Sequence, residues 1–341
     1  MTGDARKWLV IAETAEGRPV GVVYEALGLA RSLAGAASGN VEACIVGDAR
    51  PDTANDLIRH GADRVYALNS PGGGTEAWVA DVVALIRESR PDAVSIGHTA
   101  LGAELAPRLA FRLDSAVVTS CVDARFTDGR LQLTRPCYGG KAREVVSIRT
   151  APTIFTIKPK SFEPCAADEA RRGEIVARAS VLDRSALRTK VREVRRNPDD
   201  DASLESAQVV VAGGGGMKGP QGFELARRIA DLLRGAVGAS RVACDLGWCP
   251  PSYQVGLSGK TIAPQLYIAI GISGAGQHMA GCGNARNIVA INSDRDAPIF
   301  RFARYGVVGD CHELMPALIE RLEARTATRS TEPGAASGNS E

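Results

Sequence analysis

Histidine is scarce in this chain, with four among 341 residues, and the eight cysteines include no C-x-x-C pair. No zinc-binding spacing can be assembled from so few histidines and such scattered thiols. Cys44 sits in the apolar run Val-Glu-Ala-Cys-Ile-Val, where a free thiol acts as a small hydrophobe. A one-sided charge is missing as well. Lys plus Arg number 41 against 39 Asp plus Glu, a formal net charge of +2, which offers no field for nucleic acid. No apolar run reaches membrane-spanning length, and the start, Met-Thr-Gly-Asp-Ala-Arg-Lys-Trp, enters an apolar strand without a signal-peptide core. Neither a Ser-His-Asp set nor paired catalytic carboxylates stand out. These absences point to a reduced, soluble, cytoplasmic protein that binds no metal and performs no acid–base chemistry of its own.

What is present is core-forming sequence. Hydrophobic residues make up 45% and charged residues 23%, and the length favours two domains. The first half alternates strand candidates (Trp8–Ala12, Ala43–Val46, Arg64–Leu68, Ala93–Ile96, Ala116–Ser120) with helical spacing at Val22, Val23, Ala26, Leu27 and Ala30, and again at Val79, Val82, Val83 and Ile86. This is the grammar of an α/β domain with a mainly parallel sheet. From Leu131 to Ile157 strand-rich segments follow without helices, so antiparallel strands are expected to finish one edge. A basic run from Arg184 to Arg196 gives way to Asn-Pro-Asp-Asp-Asp at 197–201, a charged linker rather than a core element. Expected boundaries are an N-terminal α/β domain over 1–181, the linker over 182–204, a second α/β domain of Rossmann-like form over 205–325, and a disordered tail over 326–341.

Three glycine-bearing loops in the second domain invite phosphate. Gly214, Gly216 and Gly219 satisfy G-x-G-x-x-G after a strand and before a helix, the dinucleotide-binding context. Four consecutive glycines make that match easy, however, and Asp245 stands too far along to be the expected ribose ligand. Gly259-Lys260-Thr261 looks like the end of a P-loop, but Gln254 occupies the first glycine position, which removes the nest of N–H groups. The third loop, Gly271-Ile-Ser-Gly-Ala-Gly-Gln-His278, follows an apolar strand and opens a helix, offering free N–H groups to a pyrophosphate. Taken alone, it fits a small-residue packing turn equally well. Arg241, Ser258 and Asn292, taken singly, read as a surface ion pair, a loop serine and a strand-end cap. Lys218 and His312 read as surface residues.

The ordered set changes this. Gly238-Ala-Ser-Arg241, Gln254-Val-Gly-x-Ser-Gly-Lys260, Ala263-Pro-x-Leu-Tyr-Ile-Ala-Ile-Gly-Ile-Ser-Gly-Ala-x-Gln-His278, Ile288-Val-Ala-Ile-Asn292, Ala297-Pro-Ile-Phe300 and Tyr305-Gly306 resemble, in order and spacing, the alpha-subunit family of electron-transfer flavoproteins. The first domain agrees more loosely through Leu9-Val-Ile-Ala-Glu13, Ala106-Pro-Arg-Leu-Ala110 and Thr134-Arg-Pro-Cys-Tyr-Gly-Gly-Lys141. The resemblance implies one FAD in the C-terminal domain and a heterodimer with a beta subunit, which in many members holds AMP. It also implies electron traffic from a flavin dehydrogenase to a quinone reductase or other redox acceptor, the linker letting the flavin domain swing between them. It places Ser240 and Arg241 beside the isoalloxazine and Val255, Gly256, Leu257 and Ser258 along the ring. Ser273, Gly274, Ala275, Gly276, Gln277 and His278 fall at the pyrophosphate and ring, Asn292 at a ribose, and Asp310 with Cys311 at the adenosine end. A guanidinium near a reduced flavin attracts its charge by ~4 kcal/mol at contact distance before desolvation.

Four positions depart from the family pattern. The usual arginine after the first strand of this domain is Gly215, the usual ring-loop glutamine and threonine are Leu257 and Ser258, and a larger apolar residue is replaced by Gly276. An altered potential or partner is therefore expected. Two other readings remain open here: an NAD(P)-dependent oxidoreductase using Gly214–Gly219, and a flavin-free scaffold that has lost its cofactor contact at Gly215.

Overall fold

A computed structural model of the chain describes residues 6–34, 39–69, 74–127, 129–182 and 203–331, with positions 185, 187–189, 192 and 193 between the last two stretches. Two compact units divide between Arg195 and Arg196.

The first unit is built on β1 (Lys7–Ala15). Trp8 to Ala12 are all at most 1% exposed, as expected for a central parallel strand covered on both faces. Around it lie β2 (Arg18–Pro19), α1 (Gly21–Ala34), β3 (Asn40–Val46), α2 (Thr53–Arg59), β4 (Arg64–Asn69), α3 (Thr75–Ser89), β5 (Ala93–Gly97), α4 (Ala100–Arg112) and β6 (Val117–Cys121). Then follow β7 (Asp123–Thr127), β8 (Arg130–Cys137), β9 (Ala142–Val146), β10 (Thr153–Ile157) and β11 (Glu174–Ala179). The main sheet runs β11-β4-β3-β1-β5-β10-β6, every pair parallel, with β2 added antiparallel to β1. The period-2 alternation of β1 divides its side chains between two cores. Trp8, Val10 and Ala12 meet α1 and α2, while Leu9 and Ile11 meet α3 and α4.

The expected antiparallel edge is corrected. β7, β8 and β9 form a separate three-stranded antiparallel sheet, and β10 returns to sit between β5 and β6 as an interior parallel strand. The reason lies in its residues: Ile154, Phe155 and Ile157 are fully buried, and a strand apolar on both faces belongs inside a sheet. The edges are β6 and β11, and β11 has the mixed sequence Glu-Ile-Val-Ala-Arg-Ala, with no strong periodicity to announce it. Its charges are paired at the rim, Glu174 with Arg64 at 2.6 Å and Arg178 with Glu88.

Much of the expected linker at 182–204 lies outside the described residues. Its beginning belongs to the first unit, where the N–H groups of Arg188 and Thr189 each donate to Glu76 Oε2 at 3.2 Å. Its end belongs to the second, where Leu204 is 2% exposed in the core.

The second unit contains α5 (Ser203–Ser206), β12 (Val209–Gly213), α6 (Gln221–Leu232), β13 (Ala236–Ala239), α7 (Arg241–Asp245), β14 (Leu266–Ile270), α8 (Gly276–Cys282), β15 (Ile288–Asn292), β16 (Tyr305–Val308) and α9 (Cys311–Thr331). All five strands are parallel, in the order β13-β12-β14-β15-β16. Helices α6 and α9 cover one face. The other is covered by α8 and the irregular chain at Val255, Ile262 and Ile299. Helix α9 extends to Thr331, past the expected end at residue 325, and within it Glu323 accepts from Arg228 Nε at 3.0 Å. Residues 332–341 of the expected tail lie outside the described residues.

The Trp8 and Phe155 rings meet edge-to-face with centroids 5.8 Å apart in the core of the first unit. Phe155→Ala is expected to cost that unit about 3–5 kcal/mol, read as a lower urea midpoint for its unfolding transition, with the second unit's transition unmoved.

Candidate functional site

In the second unit the chain leaves β12, pairs β13 on one side, then crosses to place β14 on the other. The carboxyl ends of β12 and β14 therefore flank a topological switch point, the place where open α/β sheets bind ligands. Here the two following turns meet backbone to backbone. Gly214 N–H donates to Ile270 O at 2.8 Å and Gly216 N–H to Gly271 O at 2.9 Å. Gly271 has φ +61°, and a Cβ on it would lie 2.8 Å from both Gly216 C and Met217 N. Only glycine permits that approach. Gly215 is different, since a Cβ there would meet nothing closer than Val242 Cγ1 at 3.3 Å, and its φ is ordinary. Neither space nor backbone demands glycine at the position where the family usually carries arginine.

A small cavity opens at these strand ends, lined among others by Gly216, Lys218, Gly271, Asn292, Asp310 and Cys311. The structure thus brings together three residues assigned above to the ribose and adenosine end. Asn292 makes two hydrogen bonds, its Nδ2 donating to Ile272 O and its Oδ1 accepting from Asp294 N–H, both at 3.0 Å. Asp310 Oδ1 accepts from His312 N–H at 2.8 Å, and Oδ2 lies 3.4 Å from Lys218 Nζ. The His312 N–H, helped by the lysine, holds the Asp310 carboxyl below the usual carboxylate range. Cys311 is buried, with its thiol 3.8 Å from Gly216 O. Lys218, read above as a solvated residue, is exposed but sits on the cavity rim. His312 is exposed as expected, and its Nε2 reaches Met217 O at 2.9 Å.

The loop after β13 and the start of α8 form the other part. Val255 N–H donates to Ala239 O at 2.9 Å, Lys260 N–H to Gln254 O at 2.7 Å, and Leu257 N–H to Gln277 O at 2.7 Å. Gly256, at φ +144°, allows this closure, since a Cβ would stand 3.0 Å from Gln277 O. This closed loop is not a phosphate nest, which disposes of the P-loop likeness. Leu257 is 63% exposed and Ser258 is exposed, its Oγ accepting from Gln254 Nε2 at 2.9 Å. In the turn before α8, Gly274 is left-handed at φ +82° and its Cβ position is closed by the Ile299 backbone. Ser273, Ala275, Gly276 and Gln277 are exposed. Among the described residues, nothing accepts from the N–H groups of Ser273, Gly274 or Ala275.

Ser240 Oγ, at the entrance to α7, is buried without a hydrogen-bond partner among the described residues, and His278 Nδ1 is buried with no bond of good geometry. A fully unpartnered buried group of this kind costs about 1–3 kcal/mol, which a polar ligand would recover. His278 is 7% exposed, and its Nε2 lies 2.7 Å from Tyr267 OH. Tyr267, a buried strand residue, carried no sequence signal of this role beyond its place in the motif. Burial lowers the pKa of His278 to about 4, against a weaker opposing influence of the Val255 carbonyl. The imidazole is therefore neutral at pH 7. Arg241 is not drawn in with the others. Its side chain is 70% exposed and its Nε pairs with Asp245 Oδ2 at 3.2 Å, an exposed pair of about 0–1 kcal/mol that a ligand can displace.

Residues 8–181 match the family described as "Electron transfer flavoprotein domain", and residues 203–283 match "Electron transfer flavoprotein FAD-binding domain". The electron transfer flavoprotein subunit alpha of Bacillus subtilis (strain 168) is 40% identical over 325 residues, covering 93% of this chain and 98% of that one. The subunit alpha of Thermoanaerobacterium thermosaccharolyticum is 38% identical, covering 94% and 98%. Protein FixB of Clostridium saccharobutylicum is 36% identical, covering 92% and 95%. The chain belongs to the electron-transfer flavoprotein alpha-subunit family.

The matched FAD-binding region of this alpha subunit takes in both glycine turns and the 255–258 loop and ends at residue 283, before Asn292, Asp310 and Cys311. The dinucleotide reading of Gly214–Gly219 loses support, because β13 ends in Ala239 and is followed by Ser240 and Arg241, with no acidic ribose ligand at the strand end. Among the described residues, no helix is long and apolar enough to cross a membrane.

The buried imidazole yields a signed prediction. The folded chain protonates His278 near about 4, the unfolded chain near ~6.5, so between these values the unfolded state binds more protons. Stability present above pH 6.5 is lost as pH falls toward 4, by about 3 kcal/mol in all. Urea titrations of the cofactor-free protein should show this slope, and His278→Phe should flatten it.

Proposed function

We propose that this alpha subunit binds FAD at the switch point of its C-terminal sheet and, paired with a beta subunit, carries electrons. Its donor is a flavin dehydrogenase and its acceptor a quinone reductase or other redox protein, in the cytoplasm, with the first unit packed against the beta subunit. The observation that carries the reading is the glycine-only contact of Gly214 and Gly216 with Gly271, which lies inside the FAD-binding region. FAD supplies the redox chemistry when bound, and the chain supplies binding and electrostatics. The free N–H groups of Ser273 to Ala275 take the pyrophosphate, and Asn292, Asp310 and Cys311 line the adenosine end. Ser240 Oγ and neutral His278 Nδ1 meet polar atoms of the cofactor. Arg241 turns from Asp245 toward the ring, while Val255 to Ser258 border it, joined by Gly276 and Gln277.

The test is an absorption spectrum of the chain co-expressed with its beta subunit. Flavin bands and FAD released in equal amount to protein are expected. A colourless preparation that binds NADH overturns the reading in favour of the oxidoreductase, and one that binds neither favours a scaffold. Gly271→Ala should strip at least ~90% of the flavin while the subunits stay associated, since the added methyl drives the two turns apart.

The departure at Gly215 makes its own prediction. Because a side chain fits there, Gly215→Arg should restore a cationic contact to the cofactor and slow FAD loss roughly fivefold, worth ~1 kcal/mol. Dilution followed by flavin fluorescence measures this, and the gain should shrink with added salt.

A further inference from the structure

The eight cysteines are scattered in sequence, yet two of them meet. Helix α7 ends in a reversal in which Gly247, left-handed at φ +73°, donates its N–H to Cys244 O at 2.9 Å and Trp248 N–H donates to Ala243 O at 3.0 Å. This helix-ending motif turns the chain back along the helix it has just left. Cys249 is thereby set beside Cys244, with the two sulfurs 3.5 Å apart and both free. Pro250 and Pro251 follow and stiffen the return, and the Pro250 carbonyl lies 3.5 Å from Cys244 Sγ.

We propose that Cys244 and Cys249 form a reversible dithiol–disulfide site, oxidised by low-molecular-weight disulfides of the glutathione class.

The chemistry is supported by what surrounds each thiol. Cys44, Cys121, Cys165, Cys282 and Cys311 all have their thiols pushed up by burial, which disfavours their thiolates. Cys244 alone among the shifted thiols is lowered, through its hydrogen bond with Cys249. Cys249 is raised in turn, and it is the more exposed of the two. In the reaction the Cys244 thiol gives its proton to solvent and its thiolate attacks one sulfur of the small disulfide. That S–S bond breaks, and one small thiolate leaves with an electron pair and takes up a proton. Cys249, deprotonated, then attacks Cys244 Sγ and displaces the second small thiol. The protein loses two electrons and two protons, and the oxidant gains both. The second attack is favoured because the partner sulfur is already in place, an intramolecular step at millimolar effective concentration or more. The ring so closed spans 244–249 and adjoins the segment that leads, through the Ala239–Gln254 bridge, into Val255 to Ser258. Its bearing on the flavin rests on the function proposed above; the thiol chemistry does not.

Trypsin releases both cysteines in one peptide, Val242–Lys260, which has no internal lysine or arginine. The purified heterodimer is treated with oxidised glutathione, blocked with N-ethylmaleimide and digested. In most copies this peptide should be lighter by two hydrogen atoms and carry no maleimide, and prior dithiothreitol should restore two maleimides. In Cys249→Ser the internal bond cannot form: Cys244 should carry glutathione or one maleimide. Two maleimides on the wild-type peptide after oxidation, or linkage of Cys244 to a cysteine outside it, would overturn the proposal. A flavin-free preparation would leave this result readable, so the failure of one idea does not mask the other.

Discussion

The second unit depends on one contact, the meeting of two turns with no side chain between them. Parallel strands β12 and β14 lie side by side, so the turns that leave their carboxyl ends compete for the same volume. They coexist because Gly214, Gly216 and Gly271 present only backbone, with N–H groups of one turn bonded to carbonyls of the other. Asn292, from the next strand end, then bonds Ile272 O and fixes the second turn against β15. Each of these bonds satisfies buried backbone that water would otherwise have to reach. A cavity at the strand ends is what remains when the turns are held this tightly.

Much of the fold could be read from periodicity alone. Five strands of the first sheet followed from short apolar runs, because strands buried on both faces leave an unmistakable composition. The misreadings have different causes. β10 was grouped with the antiparallel segments before it because it follows them along the chain, although Ile154, Phe155 and Ile157 belong to the interior. Spatial order in a sheet is set by which faces need covering, and chain order does not report it. β11 escaped notice because an edge strand needs only half its surface apolar.

The site was legible in a different way. Glycines at 214, 216, 271 and 274 could be found by their spacing, since each answers a steric demand that the sequence expresses directly. Partners could not. Tyr267 beside His278, Lys218 beside Asp310 and Cys249 beside Cys244 are all products of the packed chain. The family resemblance located His278, but only its burial shows that the ring is neutral, and so able to donate or accept without carrying charge.

The two ends of the site differ in how finished they are. At the strand ends Asn292 and Asp310 already have their bonds, and Cys311 is buried. At the ring end Arg241, Leu257, Ser258 and Gln277 are exposed. Electrostatics gives that difference a consequence. A unit charge 4 Å from another is worth ~1 kcal/mol in water and ~4 kcal/mol in the partly desolvated setting of a protein surface. A guanidinium left in solvent and paired with Asp245 can therefore do little to set a potential. On the function proposed above, it would gain its full influence once an isoalloxazine took the place of Asp245 and a second protein surface excluded the water. Tuning at the ring would then be a property of the assembled carrier, and anchoring at the strand ends one of this chain alone.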